Sequence, residues 1–584
     1  MSKQCISNYD KYPQVRLSES PCRVGWKEIT EALKGTIKPG SYVVCVECYP
    51  GCFEDEIARE LVQALQPRFV ALVRDCYLPP SAIESITARD LGDDPVFAFM
   101  NKYELSEFLD GSKLAQKRDE MQSLDGLKIV IGAGASLLVE KWDLLIYCDM
   151  ARWEIQQRQR AGRISNLGLE NEKDRPSLKY KRAYFIDWRV ADRLKRGLLS
   201  QIDFLLDTND HQTPKMISGE QLAEGLKATA SRPFRVVPFF DPGPWGGQWM
   251  KEVCDLPRET ENYAWCFDCV PEENSLLLGF GNVRVEIPSI NLVFAQPHEL
   301  LGEAVHARFG TEFPIRFDFL DTFDGGNLSF QVHPLTEYIQ EKFGMNYTQD
   351  ESYYLLDATG EGCVYLGLKE NVNRTQMIED LHRAQEGEIV FDAEKYVNRW
   401  PAKKHDHFLI PAGTPHCSGK NSMVLEISAT PYIFTFKMWD WGRVGLDGTP
   451  RPIHLEHGLR NVQWDRTTGW VERNLVNRGS EVARGEGWTE ERTGLHEREF
   501  IETRRHWFTG PVLHATNGGV NVLNLCEGRE AIVESPTGAF PPLIVHYAET
   551  FIVPAAVGGY IIRPHGESEG KQCATIKAFV RTNP

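Results

Sequence analysis

The sequence predicts a multidomain chain in which an α/β domain built on a parallel sheet precedes all-β, barrel-like domains. Three observations carry that reading. A length of 584 residues allows two to four domains. In the first third, buried β-runs alternate with amphipathic helical patterns, the rhythm of a parallel sheet with crossover helices. From residue 233 onward, short β-type runs separated by turn signals take over, the rhythm of barrels and sandwiches.

Composition narrows the function class. Apolar content of 42% and charged content of 25% are ordinary for a soluble globular protein. A net charge of -17 argues against a general nucleic-acid binder but leaves room for a local basic pocket around a phosphorylated small molecule. The N-terminal residues lack the apolar core of a signal peptide, and no apolar stretch is long enough to span a membrane. The 14 cysteines are scattered, several inside apolar runs (Cys45, Cys148, Cys363). Reduced thiols in a cytoplasmic protein without a membrane partner are therefore expected. Cys266 and Cys269 form a CxxC pair with no second pair at zinc-ribbon spacing, so a structural role is expected.

In the N-terminal third, residues 41–65 read as a buried β-run, a turn at Pro50–Gly51 and then an amphipathic helix. That order is the frame of a phosphate-binding loop, but its chemistry is missing. Phe53 stands where a second glycine belongs, and Glu54 and Asp55 stand where Lys and Ser/Thr belong. Two carboxylates there would repel a triphosphate, so no nucleotide-binding residue is assigned. Further β-runs start at Phe69, Leu127 and Leu144, and a basic helix carries Arg152, Arg158, Arg160 and Arg163. The whole resembles the uridine kinase and nucleoside monophosphate kinase group of P-loop proteins, in which such a helix carries lid arginines. The resemblance implies a degenerate, non-catalytic domain over 1–210; a working phosphotransferase would use Asp75 as base but lacks the loop lysine. The simplest reading of the arginines themselves is a solvated helix face. Residues 211–232 read as a connector.

The centre of the chain holds the chemistry. Gln331 and His333 lie two apart on an apolar, strand-like run, so both side chains point to one face. Glu351 opens a second such run, and His416 follows the turn Pro411-Ala412-Gly413. Gln331, His333, Glu351 and His416 converging on one point would make a mixed nitrogen and oxygen site suited to Zn²⁺, with room for water or substrate. Asp350 would point to the opposite face of the strand from Glu351.

Trp245-Gly246-Gly247, Gln331-Val332-His333-Pro334, Glu351 before Tyr353-Tyr354-Leu355-Leu356, and Ile410-Pro411 through His416 occur in one order. With these segments the chain from 233 to its end resembles the type I mannose-6-phosphate isomerases, zinc enzymes built on cupin (double-stranded β-helix) barrels. The resemblance implies a metal-binding cupin domain over 233–455 and a second cupin-like barrel without metal ligands over 456–584. It also implies Zn²⁺ on Gln331, His333, Glu351 and His416, and a zinc-dependent aldose–ketose isomerase interconverting mannose 6-phosphate and fructose 6-phosphate through a cis-enediol.

Two positions depart from that family. Gln349 stands where a lysine is common, and Lys437 stands where a catalytic arginine is expected. Lys437 is the first candidate for charge stabilisation or proton transfer. Arg443 is a second candidate, at the reacting centre or on the phosphate, and Lys369 a further one for the phosphate. Lys403, Lys404, His405 and His407 read as a polar turn, and His514 and His546 as structural. The alternatives are a non-catalytic sensor of sugar phosphates or nucleotides that retains the metal site, and a bifunctional kinase–isomerase. The sequence does not give the oligomeric state.

Overall fold

The alternation of apolar runs and helices before residue 233 folds into one open sheet. The structure, a computed structural model, describes residues 7–17, 21–429, 432–448, 450–494, 496 and 499–582. Five parallel strands form the sheet: β1 (Tyr42–Cys48), β2 (Phe69–Leu72), β3 (Leu127–Gly132), β4 (Leu144–Asp149) and β5 (Phe204–Asp207). Their order is β2-β3-β1-β4-β5, with β1 in the middle. Val44, Cys45 and Val46 of β1 and Ile129, Val130 and Ile131 of β3 are fully buried, as continuous apolar runs of a doubly covered sheet require.

The stretch 211–232, expected as a connector, is ordered structure. Lys215–Ser218 adds an antiparallel strand beside β5, and Gly219–Ala230 is a helix that buries Leu222 and Leu226, four residues apart on one face. The division of the chain is also not contiguous. One compact unit takes Gln14–Ala228 together with Ser275–Ala295; the other takes Thr229–Asn274, Gln296 onward and the residues preceding Gln14. The hairpin of Ser275–Phe280 and Val283–Pro288 belongs to the first unit because Gln14–Arg16 pairs with it in parallel.

The second unit is largely antiparallel sheet, compatible with cupin-like β domains. Its first half holds β6 (Arg316–Asp321), β7 (Phe330–Val332), β8 (Asp350–Ala358), β9 (Cys363–Leu368), β10 (His407–Ile410), β11 (His416–Ser418), β12 (Ser422–Ala429) and β13 (Phe436–Trp439). A six-stranded sheet runs β10-β8-β12-β6 and continues into Trp265–Cys269 and Phe239–Asp241. A five-stranded sheet runs from Val397–Pro401 through β9-β11-β7-β13. Cys266 and Cys269 lie buried in the first sheet, where they pair with Phe319 and Phe317.

The second half contains β14 (Ile501–Phe508), β15 (Asn521–Glu527) and β16 (Cys573–Val580) in a second six-stranded sheet, with a four-stranded sheet beside it. Leu523, Leu525, Val533, Val545, Phe551 and Ile562 form its apolar core. The polar stretch 461–500 supplies a helix, Thr468–Asn474, and the strands Ser480–Gly485 and Trp488–Gly494. Among the described residues no helix is long and apolar enough to cross a membrane.

Candidate metal centre

Strand register brings the candidate ligands together. In the five-stranded sheet Gln331 lies directly opposite His416 on one side and Lys437 on the other. Directly opposed residues of antiparallel strands point to the same face, so these three side chains form a row. His333 continues the Gln331 face just past the end of β7. His416 opens β11 after a turn that needs glycine. Gly413 has φ +83°, and a Cβ there would meet the Asn461 carbonyl oxygen at 2.8 Å. Glu351, near the start of β8, reaches across from the other sheet.

The cluster is buried and tight. His333 Nε2 lies 3.0 Å from Glu351 Oε2, and His416 Nε2 lies 2.9 Å from Glu351 Oε1. The side-chain amide of Gln331 is 3.3 Å from His416 Nε2. One potential ligand atom from each of His333, Glu351 and His416 falls within 4.8 Å of the others.

The outer ring nitrogens fix the chemistry of the inner ones. His333 Nδ1 is 2.8 Å from the Phe434 carbonyl, and His416 Nδ1 is 2.8 Å from the Thr414 carbonyl. A carbonyl only accepts, so each Nδ1 carries a proton, and in the neutral ring each Nε2 turns a lone pair toward Glu351. Acceptor then faces acceptor, and His333 Nε2 and Glu351 Oε1 are buried without a hydrogen bond. A cation between them resolves that arrangement, so the donor set fits a divalent metal. Without one, burial opposes charge at all three groups. Ion pairing outweighs burial at Glu351, whose pKa is held well below the usual range, and at His333, whose pKa is raised; at His416 burial prevails and the pKa is lowered.

Around the cluster the structure gives Gln349, singled out in the sequence, a defined partner, and adds Glu426, which sequence reasoning passed over. Gln349 is buried; its amide nitrogen donates to Glu351 Oε2 at 2.9 Å and its oxygen accepts from the Phe434 backbone N–H at 2.9 Å. It holds the Glu351 carboxylate in place and cannot exchange a proton near neutrality. Glu426 on β12 lies directly opposite both Tyr353 and Asp318. Tyr353 packs edge-on against His416, with ring centroids 5.7 Å apart. Burial and the neighbouring Glu351 and Asp318 charges push the Glu426 pKa well above the carboxylate range. Asp318 is raised to about 6 by burial, although Arg316 pairs with it at 3.1 Å. The only hint of Glu426 in the sequence is a carboxylate isolated within the apolar run of β12.

Other candidates fall outside the cluster. Asp350 accepts from the Ala412 backbone N–H at 2.7 Å, away from Glu351's side of the strand. Arg443 is committed to structure: it donates to the Asn327 carbonyl at 2.5 Å and to Asp440 at 2.6 Å. Lys369 is exposed and bonds the Glu394 carbonyl. Lys404 and His405 both pair with Glu527, at 2.6 Å and 3.1 Å. His546 pairs with Glu549 at 3.0 Å.

The Pro50–Gly51 turn follows the central strand β1 and leads into the helix Glu54–Leu65. It is closed by the chain's own side chains. The Arg158 guanidinium lies 4.1 Å from the centre of the Phe53 ring and donates to the Gly51 carbonyl at 3.0 Å and the Thr208 carbonyl at 2.8 Å. Arg158 and Arg152 are thus buried, not part of a solvated helix face; Arg152 pairs with Asp192. Glu54 accepts from the Ala133 N–H at 2.9 Å, and Glu47 accepts from the N–H groups of Gly134 and Ser136 at 2.6 and 2.8 Å.

Residues 25–231 match a family described as a domain of unknown function (DUF8485). The chain is also similar to the mannose-6-phosphate isomerase of Streptococcus mutans serotype c, 27% identical over 219 residues, which are 37% of this chain and 63% of that protein. It therefore spans less than two thirds of that relative's length. The mannose-6-phosphate isomerase ManA of Bacillus subtilis is 23% identical over 239 residues, 40% of this chain and 69% of the relative. A crystal structure of the mannose 6-phosphate isomerase from Bacillus subtilis aligns with 59% of this chain and 99% of its own, at 19% identity and a TM-score of 0.49. The chain is homologous to mannose-6-phosphate isomerases over about 40% of its length.

Proposed function

We propose that the second unit is a zinc-dependent aldose–ketose isomerase that interconverts mannose 6-phosphate and fructose 6-phosphate. The carrying observation is the buried His333–Glu351–His416 cluster, whose acceptor atoms face one another at 2.9–3.0 Å in a chain homologous to such isomerases. Gln331, His333, Glu351 and His416 would hold the metal, and two imidazoles, a carboxylate and an amide oxygen suit zinc. When bound, the ion supplies Lewis-acid stabilisation of charge on the sugar oxygens.

The chain's own residues do the rest. Isomerisation moves a proton between C2 and C1 through a cis-enediol, and needs a group that takes and returns it. Glu426 suits that role: it lies on the row of Tyr353, which packs on His416, and burial with the neighbouring Glu351 and Asp318 charges raises its pKa, which makes its carboxylate a stronger base. Lys437, on the same face as Gln331, keeps positive charge beside the cluster, where negative charge develops on the enediol oxygens. Gln349 orients Glu351 and moves no proton.

In this reading the first unit is a degenerate, non-catalytic relative of nucleotide kinases. Its strand–turn–helix frame at β1 supports the kinship, and Phe53, Arg158 and Glu54 occupy the space and the donors that a phosphate would use.

Steady-state conversion of mannose 6-phosphate by the full chain tests the proposal. Chelator-treated protein is expected to be inactive and to recover on adding zinc. Absence of fructose 6-phosphate with stoichiometric zinc bound would overturn it.

A further inference from the structure

The second half of the second unit contains a cavity of about 350 Å³ that no activity described so far uses. That size is within the range of small-molecule sites, roughly 300–1,000 Å³. Arg504, Lys577 and Arg581 line it, with Glu502, Thr516 and Asn521. Register explains why the cations meet. Arg504 on β14 lies directly opposite Lys577 on β16, so both project from the same face, the one that carries Leu523 of the apolar core.

The pairing of these charges is unequal. Arg504 pairs with both Glu502 at 2.7 Å and Glu490 at 3.0 Å, so these two carboxylates exceed it by one negative charge, which leaves Lys577 and Arg581 as the cations of the cavity that no carboxylate contacts. Lys577 is 7% exposed, yet makes no hydrogen bond or ion pair among the described residues; the Phe579 ring lies 5.5 Å from its ammonium, and the Glu490 and Glu502 carboxylates attract it without touching it. Burial depresses its pKa to about 8. Arg581 gives one nitrogen to the His496 carbonyl at 3.3 Å and leaves Nε buried without a partner. A buried, unpaired lysine is costly to the fold and is retained where something else supplies the missing charge.

We infer that this cavity is an anion site that takes the phosphate group of a small phosphorylated, hydroxyl-bearing molecule, with Lys577 as its principal contact and Arg581 as a second. Ammonium and guanidinium donors to a phosphate oxygen form short, charge-assisted bonds. Thr516 and Asn521 are buried in the cavity wall, where Thr516 Oγ1 donates to the Ala555 carbonyl at 2.9 Å and Asn521 Oδ1 accepts from the Tyr560 hydroxyl at 2.9 Å; each oxygen keeps a lone pair for a ligand hydroxyl. The chemistry does not depend on the metal centre and holds whether or not the isomerase reading does.

The test separates this site from the metal centre by using the full chain carrying His416→Ala, which cannot be read through a metal-bound anion. Binding of inorganic phosphate and of glucose 6-phosphate is measured by calorimetry. One site per chain is expected, with glucose 6-phosphate the tighter ligand; equal affinities for the two would overturn the assignment of a hydroxyl-bearing ligand. Adding Lys577→Met should weaken both ligands roughly ten- to hundred-fold, the loss of one charge-assisted bond. The same substitution removes an unpaired buried charge, so the thermal midpoint without ligand should stay level or rise. Lys577→Arg should retain part of the affinity. Absence of phosphate binding, or affinity unchanged by Lys577→Met in a folded protein, would overturn the inference.

Discussion

The Pro50–Gly51 turn and the cluster at Glu351 both bury ionisable groups, and they do so in opposite ways. At the turn the buried ionisable groups find hydrogen-bond partners within the chain, although burial still favours the protonated forms of Glu47 and Glu54. Glu47 and Glu54 are held by backbone N–H groups, and Arg158 by carbonyls and the Phe53 ring. At Glu351 the surrounding groups are arranged but not satisfied. Two imidazoles present lone pairs to one carboxylate, and the hydrogen bonds that would normally quench them go outward to Phe434 and Thr414. The inner acceptor atoms at Glu351 face one another, whereas the polar groups at the turn are closed off by the chain's own donors and acceptors.

Four substitutions or titrations break or sharpen that contrast. The largest effect belongs to Glu351→Gln. It removes the only carboxylate among the proposed ligands, and zinc measured by elemental analysis should fall from stoichiometric to none. Turnover should fall by roughly 10³-fold, the several kcal/mol that Lewis-acid stabilisation supplies. Zinc retained at full occupancy would show that Glu351 is not a ligand.

Arg158→Ala comes next. Loss of a buried guanidinium leaves the carbonyls of Gly51, Thr208 and Asn209 unanswered, and unfolding of the first unit should become easier by about 3–5 kcal/mol. No binding of magnesium ATP should appear. A stable variant that bound ATP would mean that Arg158 gates a working loop.

The third is a titration. Burial raises the Glu47 pKa from 4.5 to about 7, so its folded form prefers the proton. That contribution is fully present below the unfolded pKa, and is lost as pH rises through the folded one. Between about pH 4.5 and 7 the wild type should lose on the order of 3 kcal/mol relative to Glu47→Gln, read from urea unfolding at each pH. A difference that stays flat across this window would place the Glu47 charge in water.

The smallest effect is at Gln349. Gln349→Ala removes the hydrogen bond that orients Glu351 but no ligand, and zinc affinity should fall about 10- to 100-fold. No change in affinity would assign the orientation of Glu351 to the imidazoles alone.

What could be read from the chain follows the range of the interactions. Gln331 and His333 were legible because strand alternation is local, and His416 because a Pro-Gly turn announces the start of a strand. The parallel sheet was legible because a doubly covered strand is a continuous apolar run, as in β1 and β3. Glu426 was not, because its place depends on the register of β12 against β8, which is set by contacts more than 70 residues apart in sequence. Arg152 and Arg158 read as solvated because a charged helix normally is; their partners Asp192, Gly51 and Thr208 come from distant segments. The antiparallel strand Lys215–Ser218 was missed because only Met216 and Ile217 are buried in it, too few to show a period. The exchange of the hairpin at residues 275–288 into the first unit left no local signal at all.

The most direct test of the account is deuterium incorporation at C2 of mannose 6-phosphate, followed by NMR in D₂O with the zinc-loaded full chain and with its His416→Ala variant. The account predicts exchange at C2, together with fructose 6-phosphate, for the zinc-loaded chain and neither for the variant. Neither exchange nor product from a chain with zinc fully bound, or undiminished exchange by the variant, would contradict it.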